Sequence, residues 1–356
     1  MTISELLQST SEAPLEADFS AQLQNIRERE TKGGKPYREW MIADATGGIT
    51  LKLWNNHPQW DAALEIDPET FLHFQGDWTK NQYGIDGKGW KFRFLNEDES
   101  KIFLAGDPKT KAKQDTDWSI ILNAISHITD PRLKQLCGDF IEQFGTRFKR
   151  TAAAKKNHHA RRGGLVEHVA QMMRAAIALH PVYPELNLDL LITGILFHDC
   201  GKLWENTYPE TGFNQLMTLH GEMLGHIPLG MELVNKFWRE LPLNSWKDLE
   251  PSSESVRLHL LHLVASHHGL LEYGSPTLPR TPEAHTLHYI DNLDAKMEMI
   301  RDAYANANEA SPDTGIYERQ FPLPAGLVDP LPSLPRTDAQ IADETPPEVA
   351  DELFRS

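Results

Sequence analysis

The sequence predicts an α+β multidomain chain in which a small N-terminal β-barrel is followed by an all-α domain. Three observations lead there. At 356 residues the chain exceeds the usual size of one domain. Residues 15 to 105 break into short β-rich runs separated by glycine turns, and from about residue 118 apolar residues recur at steps of three and four until about residue 305. The organisation expected is an N-terminal extension over 1–14, the barrel over 15–105, a polar linker over 106–117, the helical domain over 118–305 and an acidic, proline-rich tail over 306–356.

Each element has its own signal. "PYREWMIADATGGITLKLWNN" reads as two strands, 37–44 and 48–55, joined by a Thr46-Gly47-Gly48 turn. "TFLHFQGDWTKNQYGIDGKGWKFRFLN" repeats the pattern with Asp86-Gly87 as the expected turn before a strand through Trp90 and Phe94, and strands of this kind suggest a small closed barrel. "GDPKTKAKQDTD" is too polar to suggest packing and reads as the linker. The helical half includes "LVEHVAQMMRAAIALH", "LDLLITGILFHD", "ESVRLHLLHLVASHHG" and "PEAHTLHYIDNLDAKMEMIRDAY". The tail has many prolines and acids without a sustained apolar period, which predicts a disordered or surface-draped segment.

Composition bounds the function. Forty per cent apolar and 24% charged residues are ordinary for a globular protein, and no apolar run approaches the length of about 20 that a membrane span needs. The N-terminus lacks a basic start followed by an apolar block, so neither a secretion signal nor an anchor is expected, and the location expected is cytoplasmic. Two cysteines, Cys137 and Cys200, make neither a disulfide framework nor a cysteine zinc site. The net charge of −16 argues against a polyanionic partner, but its distribution does not. From Asn306 onward ten acids face three bases, a net of −7, whereas residues 147–162 carry seven Lys or Arg and no acid.

The helical half places potential ligands on apolar faces. His168 shares a stripe with Leu165 and Met172, His198-Asp199 ends one apolar helix, His226 follows "GEMLG", His267-His268 end another helix, and Asp291 lies on the apolar side of the last. Any one of these histidines is more often a hydrogen-bonded core residue than a ligand. The collection changes the reading, because buried carboxylates such as Asp199 and Asp291 are rare unless paired or coordinated, and one shared cation would account for them together. Cys200, inside the motif, reads as a small buried filler rather than a soft ligand.

These residues, in this order, resemble the metal-dependent phosphohydrolases named for their His-Asp dipeptide. With "KKNHHARRGGLVEHV", "LFHDCGKLWE", "MLGHIPLG" and "SHHGLLEYGSPTLPRTPEAHTLHYIDNLDAKM" behind an oligonucleotide-binding-type (OB-fold) barrel, residues 15 to 305 resemble the YhaM family of 3′-to-5′ exoribonucleases. The resemblance implies that His168, His198, Asp199 and Asp291 hold one divalent ion. It implies that His226, His267 and His268 hold a second, with Asp199 bridging and Asp294 supporting from behind. It points to Mn²⁺ ahead of Fe²⁺, Co²⁺ or Mg²⁺, and the many nitrogen donors make Mg²⁺ the poorest fit. Lys202 would reach into the cleft and touch the scissile phosphate.

The substrate expected is single-stranded RNA, with single-stranded DNA as a second candidate. Lys155, Lys156, Arg161 and Arg162 could take phosphates at the cleft entrance, with Asn157 and His158 touching substrate; the bland alternative is a solvated basic loop. In the barrel, Trp54, Trp78, Tyr83, Trp90, Phe92 and Phe94 are candidates for base stacking, Trp54 and Trp90 first among them, although alternation sends some of the six into the core. Glu272, Ser275 and Glu283 could shape the site, though Glu283 also suits the first turn of a helix begun by Thr281-Pro282. Two other readings stand beside this one: a phosphohydrolase of nucleotides or cyclic dinucleotides, and a strand-binding regulatory protein with a structural metal site. A shallow cleft is also compatible with a homo-oligomer.

Overall fold

The computed structural model describes residues 1–31, 33–81, 84–155, 159–213, 215, 218–306 and 310–331. Five strands, β1 (Leu15–Glu30), β2 (Pro36–Asp44), β3 (Gly47–Trp54), β4 (Phe71–Asn81) and β5 (Gly84–Phe94), form one antiparallel sheet in the order β3-β2-β1-β4-β5. The sixteen residues of β1 serve two partners: its first half pairs with β4 and its second half with β2, with a register shift between Leu23 and Asn25 where the strand bends. Alternation turns Phe19, Ala21, Trp40, Leu51, Leu53, Phe74, Trp78, Trp90 and Phe92 into one core.

The expected barrel closure is corrected. No ladder joins β3 to β5 among the described residues, and the backbone of β5 is met by side chains instead. Gln59 donates to the Phe92 carbonyl at 2.8 Å and accepts the Phe92 N–H at 2.9 Å, while the His57 ring lies 2.9 Å from the Trp90 carbonyl. These side chains occupy edge positions that a closing strand would otherwise fill. Asp86-Gly87 is also not the turn; both lie inside β5, and the connection at 82–83 falls outside the described residues. Gly87 is there for packing, since a β-carbon would stand 2.6 Å from Trp90 Cδ1 and 2.7 Å from Trp78 Cζ3.

The helices are α1 (Ile3–Ser9), α2 (Trp60–Leu64), α3 (Glu97–Ala105), α4 (Pro108–Ser126), α5 (Pro131–Phe148), α6 (Gly164–Leu179), α7 (Leu188–Phe197), α8 (Lys202–Glu205), α9 (Leu219–Leu224), α10 (His226–Glu240), α11 (Ser253–Ser266) and α12 (Pro282–Asn306). The segment 1–14 is more than an extension: α1, with a Thr2/Glu5 capping box, buries Ile3 and Leu6 in the sheet core. Most of the expected linker is helix. Asp107 caps α4 through the Thr110 N–H and Pro108 takes its first turn. Its polarity misleads because the inner face of α4 is held by ion pairs, with the buried Asp117 meeting both Lys113 and Arg174.

Helix α7 runs through the centre of the second core, with every residue from Leu190 to Phe197 buried, and is flanked by α5, α6, α11 and α12. Its C-terminal end therefore emerges where four other helices converge. The first part of the tail is draped: Ile316 bridges to Val328, and Tyr304 donates its hydroxyl hydrogen to the Val328 carbonyl. No helix is long and apolar enough to cross a membrane.

Gly87→Ala is expected to destabilise the protein by about 1–3 kcal/mol, because the new methyl must displace two buried indoles. Urea unfolding followed by tryptophan fluorescence reads this directly, and an unchanged midpoint would show that the ring packing tolerates the methyl.

Candidate metal centre

The end of α7 delivers His198 and Asp199, both buried. A turn follows and α8 begins at Lys202, with the start of α10 pressed against it. A β-carbon on Gly201 would collide with the His226 carbonyl, so only glycine lets α10 bring His226 to the His-Asp pair. Helix α6 contributes His168, α11 ends on His267 and His268, and α12 presents Asp291 and Asp294 one turn apart.

The five imidazoles share one arrangement. Nδ1 faces an acceptor in each: Asp294 Oδ2 for His168 (2.7 Å), the Ile195 carbonyl for His198 (2.7 Å), Glu205 Oε2 for His226 (2.8 Å), the Val264 carbonyl for His267 (2.8 Å) and the Tyr273 carbonyl for His268 (2.6 Å). Carbonyls only accept, so Nδ1 carries the proton at those rings and Nε2 is left as the lone-pair donor. The rings form a continuous chain, with centroids 5.4 Å apart for His168–His198, 5.0 Å for His198–His267, 4.4 Å for His267–His268 and 5.1 Å for His268–His226.

Asp199 sits between the Nε2 atoms. Its Oδ1 lies 3.5 Å from His226 and 3.6 Å from His267, and its Oδ2 lies 3.3 Å from His198 and 4.0 Å from His168. His168 Nε2 is 3.3 Å from Asp291 Oδ1. Donors bonded to one ion at about 2.1 Å sit roughly 3 Å or slightly more from each other, which is close to this spacing. Three triplets have their ligand atoms within 4.8 Å of one another; His168/His198/Asp291 and His226/His267/His268 lie around Asp199, whereas in His159/His168/Asp294 the Asp294 Oδ2 is already bonded to both imidazoles. The donors also fit a metal chemically: His198 Nε2, His226 Nε2, His267 Nε2 and Asp199 Oδ1 are buried and make no hydrogen bond among the described residues. Leaving such atoms without a partner costs about 1–3 kcal/mol each, and a cation removes that cost.

Electrostatics agree with coordination. Burial holds His226 and His267 below the usual imidazole range, and burial together with His267 pushes His268 down to about 4, so these rings are neutral ligands. Burial opposes ionisation of Asp199 and Asp291, yet Lys202 and His198 hold the first, and His168 the second, well below the carboxylate range. His168 is also buried, but Asp291 and Asp294 push it up to about 9. A pocket that attracts a proton so strongly attracts a cation by the same field.

Comparison with known proteins agrees with this site. Residues 165–296 match the family model for the HD domain, a span that contains the ligands from His168 to Asp291. The "3'-5' exoribonuclease YhaM" of Geobacillus sp. (strain WCH70) is 33% identical over 288 residues, covering 80% of this chain and 84% of that protein. The chain belongs to the YhaM family of exoribonucleases. Membership makes it a hydrolase of phosphodiester bonds. Among solved structures, "p202 HIN1 in complex with 12-mer dsDNA" aligns over 26% of this chain and 46% of its own at 8% identity and a TM-score of 0.21, a likeness that carries no weight for fold or ligand.

Within this YhaM-family site the structure gathers all seven expected ligands and corrects several of their neighbours. Lys202 is buried rather than reaching outward; its ammonium lies 2.7 Å from Asp199 Oδ2 and donates to the Ala153 carbonyl. Arg161 is committed to Glu167 and Glu298, and Arg162 donates to the carbonyls of Pro209, Glu210 and Gly212, so both brace the fold instead of offering free guanidinium groups. Lys155 is exposed and pairs with Glu222 at 2.9 Å. Lys156, Asn157 and His158 lie outside the described residues. Trp90 is buried among Trp40, Trp78 and Phe92 and cannot stack on bases, and Trp78 and Phe92 are likewise core. Trp54 is 41% exposed against Tyr37, and Phe94 is 60% exposed; Tyr83 lies outside the described residues.

Of the expected supporting residues, Asp294 Oδ2 lies 2.7 Å from His168 Nδ1. Glu283 is buried and accepts the Asn187 N–H, bracing the start of α7 against α12 away from the ligands. Glu272 is exposed on the short turn Leu271–Tyr273, and Ser275 donates to the Ala265 and Thr277 carbonyls. Two residues were missed. Glu205 orients His226, and buried His159 shares Asp294 with His168, its Nε2 3.0 Å from Asp294 Oδ2. The acid one turn after Lys202 was the available signal for Glu205; nothing local marked His159 as buried.

Asp294→Asn keeps the shape of the side chain and removes the charge behind His168. Metal affinity is expected to fall about 10–100-fold, and isothermal titration with Mn²⁺ giving the wild-type value would show that Asp294 does not support the site.

Proposed function

We infer that the protein is a metal-dependent exoribonuclease that shortens single-stranded RNA from its 3′ end, using two divalent ions. The observation that carries this reading is Asp199, whose two carboxylate oxygens face two separate ligand triplets. His168, His198 and Asp291 would hold one ion, His226, His267 and His268 the other, with Asp199 shared. When bound, such ions acidify a water and neutralise the non-bridging phosphate oxygens. The mixed His/Asp donor set favours Mn²⁺, Fe²⁺ or Co²⁺ over Mg²⁺.

The chain's own residues then have definite tasks. Asp294 and Glu205 hold His168 and His226 in orientation, the carbonyls of Ile195, Val264 and Tyr273 fix the tautomers of the other three rings, and no side chain needs to act as nucleophile. Lys202, kept beside Asp199, places a positive charge next to the site where phosphate charge develops. The strand order of the sheet, partly open between β3 and β5, suits an OB-type module, a fold that takes single strands. That module favours RNA, with single-stranded DNA as a secondary substrate, over a free nucleotide or cyclic dinucleotide, which has no need of it.

With 5′-labelled single-stranded RNA and Mn²⁺, the wild type is expected to give a ladder shortening from the 3′ end, blocked by a 3′ cap. Asp199→Ala should lose several kcal/mol of charge stabilisation, on the order of 10³-fold in rate or more. Hydrolysis of mononucleotides or cyclic dinucleotides without any RNA ladder would replace this reading with the small-substrate one. Metal analysis separates the ions: His226→Ala should retain about half of the wild-type metal, and full retention would argue against a second site at that triplet.

A further inference from the structure

Away from the metal ligands, a cavity lies between the sheet and the helical domain. It encloses about 820 Å³, within the range of about 300–1,000 Å³ usual for ligand sites. One wall is Leu7 of α1 and Thr46 of the β2–β3 turn; the other is Lys111 of α4 with Thr146, Lys149 and Arg150 at the end of α5. A second cavity of about 450 Å³ shares Thr46, Gly106 and Asp107 with it and extends the depression past His73 on the sheet. Four residues of the basic run noted at 147–162, Lys149, Arg150, Arg161 and Arg162, line the first cavity.

Positive charge outnumbers negative in its lining, where Lys111, Lys149, Arg150, Arg161 and Arg162 meet Asp107, Glu210 and Asp302. Lys111 pairs with Asp115 at the surface, Lys149 lies over the Trp118 ring, and Arg150 donates to the Tyr208 and Thr146 carbonyls through Nε and Nη1 while its Nη2 lies 3.7 Å from the exposed Glu210. In a chain of net charge −16, a cleft lined in this way suits a polyanion. The cleft wall is tied to the metal centre through Arg161, whose partners Glu167 and Glu298 face His159 behind Asp294. The loop between Thr151 and Gly164 has Lys155 near Glu205, the partner of His226, and Ala160 to Arg162 on the wall of the cleft.

We propose that this interdomain cleft holds the sugar-phosphate backbone of the RNA strand upstream of the 3′ end being cut, through Lys111, Lys149 and Arg150. The proposal rests on the exoribonuclease reading for its substrate. Phosphates carry no base identity, so a contact made through Lys111, Lys149 and Arg150 is electrostatic and indifferent to base, and it engages strands too long for the metal centre alone.

The test is fluorescence anisotropy of labelled single-stranded RNA with the full chain carrying Asp199→Ala, at several salt concentrations, using strands of about 4 and about 20 nucleotides. Lys111→Gln with Lys149→Gln is expected to weaken the long strand about tenfold and lower its salt slope by about 1.4, two phosphate contacts at roughly 0.7 each, while the short strand is unaffected. Arg150→Gln should act in the same direction. Lys236→Gln with Lys247→Gln, exposed lysines elsewhere in the helical domain, removes the same charge and should change neither strand. An unchanged long strand, an equal loss for both strands, an equal effect of the control pair, or no RNA binding at all would each overturn the proposal. A wild type that shows this binding pattern yet never shortens RNA would overturn the catalytic reading and leave the cleft assignment standing.

Discussion

One constraint organises the helical domain: buried imidazole nitrogens of His168, His198, His226 and His267 and the buried carboxylate of Asp199 are aimed at one another. Lone pairs and negative charge do not converge in a protein interior without cost, because neither has lost its need for a positive partner on leaving water. The Nδ1 hydrogen bonds make the arrangement permanent, since each ring can turn only by breaking a bond to Asp294, Glu205 or a backbone carbonyl. The energy stored in that convergence is what a divalent ion recovers, so the fold and its affinity for metal are two aspects of the same electrostatics.

The rest of the domain can be understood as support for that point. Helix α7 is buried along its length because it must end at the junction of α6, α10, α11 and α12, and Gly201 is small because α10 has to begin against it. Behind His168 the negative charge is passed outward in steps: Asp294 is shared with His159, whose other side faces Glu167 and Glu298, and these carboxylates are gathered by Arg161, with Lys113 also on Glu167. Arg161 is thus far from idle. It neutralises carboxylates that sit one layer behind the ligands, and burial of such a network is tolerable only because every member is paired.

The sheet domain solves a different problem. Its core depends on indoles, and the side chains of His57 and Gln59 meet the backbone of β5 near the edge that β3 leaves open. The aromatic residues that look like a binding surface in the sequence are mostly the packing that holds the sheet together. What the domain offers a strand lies at its border with the helices, where Gln22 accepts the Phe213 N–H and Phe103 packs edge-on against Phe213. A joint made in this way fixes the width of the cleft between the two parts.

The sequence by itself put candidate ligands on inward helix faces and carried the family resemblance, because those follow from local spacing and motif order. Apolar spacing puts His168 and Asp291 on inward faces, and a histidine or His-Asp pair before a glycine marks the end of a buried helix. It could not determine which carboxylate meets which imidazole. Asp294 and His168 are 126 residues apart, and Glu205 meets His226 only after α8 and α10 pack together. The same limit explains the barrel: period two says that Trp90 and Arg93 face opposite ways, but not which way is inside. It explains the start of α4, whose polar residues read as a linker until Asp117 is seen buried between Lys113 and Arg174, ahead of the apolar Ile121, Ala124 and Ile125. Polar partners are chosen by packing across the whole fold, so their identity belongs to the tertiary structure, whereas the faces they point from are already written in the chain.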